Sequence, residues 1–372
     1  MAATSICPNP HSHGETQGIN YPGDYYTMPT KLSSLRRRAF LLAAALCLTG
    51  GVVGCSTSDS STSASSKPAS AATEAGAFPA TIAHKFGQTV VKEAPTRVVS
   101  LGYNDQDALL ALGVTPVMVR NWDGMTPSGE AAGAWAKDRI KGEKPQVYTK
   151  ETVDPEAVAA AKPDLIVATY SDVDKPTYEA LSKIAPVIVQ KGDYEDYQQP
   201  WDVTTEEIGA AVGRPAEAKK LVDGIKGRIS ELAARHPEWK GKSATVATYD
   251  GKALSAFAAN DMRTRFFTSL GFEANKEVND AAKGKFYTEL SLEEARKLDS
   301  DVLVWDQISY APKGRSTIES EQSLSSLPAM KDKHALFLED QLEKAFGWQT
   351  VLSLGYVLDH IEKPLDAAVK GE

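Results

Sequence analysis

The chain has 372 residues, 42% of them hydrophobic, and a formal net charge of −8. That is enough apolar material for at least one large core, and the length fits two domains. The acidic balance, with no basic stripe to offset it, argues against nucleic acid as a partner.

Cys7, Cys47 and Cys55 all fall in the first 55 residues. The remainder of the chain therefore has no cysteine for a disulfide framework or a thiolate metal site. Residues 1–27 are polar and aperiodic. From Met28 the chain reads MPTKLSSLRRRAFLLAAALCLTGGVVGC, with Lys31 and Arg36 to Arg38 ahead of an apolar run, Ala39 to Leu48. The run is short for a membrane span, and the pattern predicts a signal peptide over 28–54. A signal peptide must lie near the true start, so Met28 is the expected start and 1–27 an upstream misreading. "VVGC" resembles a bacterial lipobox, which implies lipidation of Cys55. "RRRAFLL" resembles a twin-arginine signal, with Arg36 where Ser or Thr is usual; Sec or twin-arginine export stays open. Residues 55–77 are rich in Ser, Thr and Ala and read as a flexible tether.

Residues 78–200 open on a hairpin-like stretch. The strand "RVVSL", a loop and a helix ending at Gly113 follow, then a second strand, "PVMVRNW". "DPEAVAAAKPDLIVATYSD" and "KPTYEALSKIAPVIVQK" each read as helix, turn and strand. Such alternation predicts βαβ units around a covered parallel sheet. Residues 201–239 are strand-free, with apolar positions at helical spacing (Ile208, Ala211, Val212, then Leu221, Val222, Ile225, Ile229, Leu232). Gly213-Arg214-Pro215 punctuates the run, and Pro215 suits a first helical turn. This segment is expected to be a rigid helical strut between two lobes. Strand and helix patterns then return over 240–372.

One unit is written twice. In "VDPEAVAAAKPDLIVATY" Glu156 heads a helical run, and Asp164, eight residues on, opens an apolar strand. In "LSLEEARKLDSDVLVWD" Glu293 and Asp301 repeat that arrangement. The expected architecture is α/β: two Rossmann-like lobes with central parallel sheets, joined by a long interdomain helix.

The stretches "TRVVSLGYNDQDALLALGVTPVMV", "KPDLIVATYSDVDKPTYEALSKIAPVIV", "EEIGAAVGRPAEAKKLVDGIKGRI" and "FTSLGFE" stand in the order and spacing of a known family. The chain resembles the substrate-binding proteins of ABC importers that have a helical interdomain strut, the class III periplasmic-binding-protein fold. That class serves ferric siderophores, haem and cobalamin, and the likeness runs from about Thr96 to the C-terminus. It implies capture of a ferric siderophore between the lobes, delivery to an ABC permease dimer, attachment to the outer face of the cell membrane through lipidated Cys55, and a monomer. In the family a surface Glu on each lobe docks on permease arginines; Glu156 and Glu293 match those places, with Glu294 as the alternative contact. As residues alone, both carboxylates suit a helix N-terminus.

Ligands of open α/β sheets bind outside the carboxyl ends of strands. The residues in those loops are Tyr103, Asn104, Arg120, Trp122, Tyr170, Tyr249 and Trp305, with Arg263 and Arg265 in "DMRTRFF" and Trp348 in "AFGWQT". Arginines suit an anionic chelate through charge and donor geometry, and Tyr and Trp suit it by stacking. Arg263 and Arg265 share a face in an extended segment and diverge in a helix. Asp105 and Asp107 read as helix N-terminal residues. The histidines (His11, His13, His84, His236, His334, His360) are dispersed, so no direct metal site and no intrinsic cofactor are expected; iron arrives already chelated. Haem or cobalamin is the rival cargo, with a Tyr as axial ligand for haem. An enzyme is the rival class, but no G-x-S-x-G elbow, phosphate-cradling Gly loop or H-E-x-x-H is present.

Overall fold

The computed structural model describes residues 72–121, 130–150 and 152–372. Residues 1–71, with the signal peptide, Cys55 and most of the tether, lie outside the described residues, and so does Trp122.

The first lobe opens with an antiparallel hairpin, β1 (Ala80–His84) and β2 (Gly87–Val91). There follow β3 (Val98–Ser100), α1 (Asp105–Ala111), β4 (Met118–Arg120), β5 (Gln146–Tyr148), α2 (Pro155–Ala160), β6 (Leu165–Ala168), α3 (Lys175–Leu181) and β7 (Val187–Val189). The order in the sheet is β5-β4-β3-β6-β7, all parallel. Strands β3, β4, β6 and β7 are buried at every position, as a sheet covered on both faces requires. The covering helices start where the sequence supplies acceptors. Asp154 caps α2 and Asp174 caps α3, each followed by a Pro in the first turn.

Two helices then leave the lobe, α4 (Trp201–Ala211) and α5 (Pro215–Arg235), separated by Gly213 at φ 72°. Helix α4 packs on the first lobe through Ile208 and Ala211, so the strut proper is α5 alone. Its Ala218 belongs to the first lobe's core, while Ile225, Ile229 and Leu232 belong to the second lobe's. Glu74, expected in the tether, is instead docked at the start of α5. Its carboxylate accepts the Ala216 and Glu217 amides at 2.9 and 3.0 Å, satisfying two donors that a helix terminus leaves free.

The second lobe comprises β8 (Ser243–Tyr249), β9 (Leu254–Phe257), α6 (Met262–Ser269), β10 (Glu273–Ala274), α7 (Lys276–Ala282), β11 (Tyr287–Leu290) and β12 (Val302–Trp305). The rest is α8 (Arg315–Ser320), α9 (Gln322–Ser325), α10 (Pro328–Lys331), β13 (Ala335–Phe337), α11 (Asp340–Trp348), α12 (Ser353–His360) and α13 (Glu362–Lys370). Its sheet runs β11-β9-β8-β12-β13, with β10 beside β8. Strands β10, β8, β12 and β13 are parallel, but β9 returns antiparallel on β8 and β11 on β9. The cause is a tight turn: Gly251 sits at φ 94°, and Asp250 accepts the Lys252 and Ala253 amides at 2.8 Å.

The written repeat is a structural repeat. Strands β3, β6 and β7 of one lobe correspond to β8, β12 and β13 of the other. Asp164 receives the Thr96 amide and hydroxyl, both at 2.7 Å; Asp301 receives the Ser243 amide and hydroxyl at 2.7 and 2.8 Å. Each aspartate fastens the start of its own strand to that of the lobe's central strand.

Candidate functional site

The carboxyl ends of both sheets meet along a seam. On the first lobe Asp105 organises the loops. It accepts the Thr169 amide (2.7 Å), the Thr169 hydroxyl (2.6 Å) and the Tyr170 amide (3.1 Å), joining the start of α1 to the loop after β6. Gly102 is glycine for a packing reason, since a Cβ there would collide with this carboxylate. Burial pushes Asp105 up to about 6 even against these donors.

Arg120 ends β4 almost fully buried, with its guanidinium 4.1 Å from the centre of the Tyr103 ring and Nη1 3.6 Å from Asp172. A charge over an aromatic face and beside a carboxylate is held in one geometry. Tyr197, missed by the sequence reading, completes the group. It stacks on Tyr103 at 6.2 Å and meets Tyr170 edge-on at 5.4 Å, with its hydroxyl in the field of Asp172. Its φ is 63°, a conformation that costs a non-glycine residue of order 1–3 kcal/mol and concentrates at functional sites. Burial, then the Asp172 charge, raises its hydroxyl pKa.

On the second lobe "DMRTRFF" begins α6, so the two arginines diverge. Arg263 turns inward over Phe257 (4.1 Å), pairing with Asp261 at 3.1 Å and with Asp306 at 3.0 Å. Burial raises the Asp306 carboxyl pKa, opposed by Arg263. Arg265 reaches the other lobe instead, donating to the Gln198 carbonyl at 3.1 Å.

Other bonds cross the seam as well. Asn104 forgoes capping α1 and donates to the Trp348 carbonyl at 2.9 Å. Tyr170 Oη lies 3.6 Å from Met262 Sδ. Asp107 receives the Thr350 hydroxyl at 2.5 Å and the Trp135 indole at 2.7 Å, and Trp135 meets Trp348 edge-on at 5.7 Å. Burial raises Asp107 to about 6. A small pocket lined by Asn104, Tyr170, Met262 and Thr350 lies between these bonds and α4, and the bonds hold the lobes against each other here.

The structure thus brings Tyr103, Asn104, Arg120, Tyr170, Arg263, Arg265 and Trp348 to the seam. Tyr249 and Trp305 are corrected to core residues. Both are buried among Leu254, Ile318 and Leu327, and the Trp305 indole points at Met330 Sδ, 3.2 Å away. A strand sends alternate side chains to opposite faces, and these two turn beneath the small helices rather than toward the first lobe. The missed residues carry other signals. Asp172 and Tyr197 lie four and eight residues past the ends of β6 and β7, beyond the strand-end positions that the sheet rule points to, and Asp107 has the look of an ordinary helix-start acid.

Glu156 and Glu293 are both exposed, each second in its helix: α2 in one lobe, a 3-10 turn (Leu292–Leu298) in the other. Neither side chain has an ion pair or hydrogen bond among the described residues. Asp154, not Glu156, caps α2. Glu294 is engaged in a capping box with Ser291 and in a 2.6 Å pair with Lys297.

The family profile described as "Periplasmic binding protein" matches residues 98–342. The chain belongs to the periplasmic binding protein family. A periplasmic solute binding protein of Mycobacterium smegmatis str. MC2 155 is 31% identical and superimposes with a TM-score of 0.69 over 78% of this chain and 98% of that one. PiaA of Streptococcus pneumoniae TIGR4, solved in complex with ferrichrome, is 26% identical with a TM-score of 0.67 over 78% and 99%. YhfQ of Bacillus subtilis (strain 168), named provisionally as an ABC transporter substrate-binding lipoprotein, is 27% identical over 304 residues, 78% of this chain and 89% of the relative. The periplasmic binding protein fold with its two lobes and strut is the architecture described above.

Proposed function

We propose that this periplasmic binding protein captures a ferric siderophore at the seam and delivers it to an ABC permease dimer for iron uptake. It works outside the cytoplasm as a monomer held to the membrane by lipid on Cys55. The observation that carries the reading is the pair of buried, fixed arginines, Arg120 and Arg263, set with Tyr103, Tyr170 and Tyr197 where the two sheets' carboxyl ends meet. Aromatic faces and guanidinium donors suit flat chelating groups around a metal, and PiaA, a relative, was solved with ferrichrome. The protein contributes shape and charge and performs no chemistry on its cargo. Iron stays in its chelate.

Closure is part of the design. The bonds from Asp107 to Thr350 and from Asn104 to Trp348 tie the lobes together, and ligand enters when they part. Glu156 and Glu293, one free carboxylate per lobe, are the permease contacts. Native mass spectrometry with ferric and iron-free siderophores tests the reading. A 1:1 complex with a ferric form is expected; absence of a complex with every ferric siderophore would overturn it.

A further inference from the structure

We infer that His236, Glu238 and Asp366 form a site for a transition-metal dication of the zinc type, where the end of the strut α5 meets α13. His236 Nδ1 stands 2.9 Å from Glu238 Oε1 and 3.6 Å from Asp366 Oδ1, and one ligand atom from each residue lies within 4.8 Å of the others. Bond lengths near 2.0–2.1 Å place tetrahedral zinc ligands about 3.3 Å apart, between those two separations. Small side-chain rotations therefore admit an ion without backbone movement.

The imidazole is already oriented for the task. Its Nε2 faces Glu362 Oε1 at 3.0 Å, and its ring lies flat on Trp239, 3.9 Å away with planes 6° apart. Nδ1 shares a hydrogen bond with Glu238 at 2.9 Å, and the ion would take the place of the proton between them while Glu362 holds the Nε2 proton, the carboxylate–histidine support that fixes metal-binding histidines. Asp366 points the same way. Its Oδ2 is held by Lys370 at 2.6 Å, while its Oδ1 is shielded from solvent and accepts no hydrogen bond. Glu238 is exposed and gives the ion a path in and an open fourth position for water. A mixed nitrogen and oxygen donor set of this size favours zinc-like dications over calcium or magnesium. None of these residues lines the seam, so the site is separate from the cargo iron. Its occupant would pin the C-terminal helix to the strut.

The test is calorimetric titration of the chelator-treated full chain with zinc chloride, beside H236Q, E238Q and the remote control E319Q. The wild type and E319Q should take up one zinc more than H236Q, since the leader's cysteines and histidines contribute equally to all. Loss of an outer-shell partner alone typically costs about 10- to 100-fold, so E238Q, which removes a ligand, should weaken that equivalent by at least about 10-fold. Zinc should raise the melting temperature of the wild type and not that of H236Q. Equal zinc uptake by wild type and H236Q would overturn the site. If H236Q fails to fold, unchanged affinity in E238Q, whose side chain is exposed, would do the same.

Discussion

Arg120 is fixed by the Tyr103 ring and Asp172, and Tyr197 by the Tyr103 and Tyr170 rings. If this group grips the cargo, removing its charge should cost about 1–2 kcal/mol of binding, the usual range for desolvated cation–π and charged hydrogen bonds. R120A is therefore expected to weaken ferric-siderophore affinity roughly 10-fold in a binding titration, with its melting temperature recorded alongside. Y197F keeps the ring stack and loses only the hydroxyl near Asp172, so its effect should be smaller. The two carboxylates proposed for permease docking, Glu156 and Glu293, should behave in the opposite sense. E156K with E293K should abolish iron uptake in cells while leaving ligand affinity unchanged; a parallel fall in affinity would remove them from permease docking. Asp107 marks the limit of reading single residues from sequence. Its position predicts a helix-start acid, which it is, but its bond to Thr350 spans 243 residues and no local pattern announces it.

Among elements, the strut and the repeated clips carry the clearest expectations. Gly224 and Gly227 are exposed in the interior of α5, with open space where a Cβ would sit. Replacing either with alanine should stabilise the protein by about 0.5–1 kcal/mol, measured by urea denaturation. Removing the paired clips, D164A or D301A, should destabilise by about 1–2 kcal/mol each, because each leaves an amide and a hydroxyl without their acceptor. The seam carboxylates set a pH dependence. Asp105 and Asp107 are raised to about 6 in the folded chain from an ordinary value of 3.8, and burial lifts Asp306 to about 7. Between those values the native state holds protons that the unfolded state has released. Their stabilisation is complete below about pH 4 and is lost as pH rises through 6 to 7. The melting temperature should thus be higher at pH 5.5 than at pH 7.5, and D107N should flatten part of that slope. The repeat that revealed the clips was legible because apolar runs and their flanking acids are local features. The antiparallel β9 was not, because its direction depends on a turn at Asp250 and Gly251 that resembles any other loop.

At the scale of the molecule, the family, the two lobes and the helical link were all readable from ordered α/β units, since strand and helix patterns survive in any local window. The site was readable only in part. Strand ends led to Tyr103, Arg120 and Tyr170, yet the same rule placed Tyr249 and Trp305 in the cleft, because periodicity does not say which face of a sheet the other lobe covers. The assembled seam also bears on cargo. Two of its three arginines are matched by acids, Arg120 by Asp172 and Arg263 by Asp261 and Asp306, while Arg265 meets the Gln198 carbonyl, so little excess positive charge is offered to the ligand. Ferric hydroxamates of low charge should therefore bind more tightly than polyanionic ferric catecholates or citrate, and their affinity should change little with salt. The most direct measurement is quenching of intrinsic Trp and Tyr fluorescence by a panel of ferric hydroxamate, catecholate and citrate-type siderophores, haem and cobalamin. Saturable 1:1 quenching by at least one ferric siderophore, strongest among the hydroxamates, is the expected result; response to haem or cobalamin alone, or to nothing in the panel, would contradict siderophore capture.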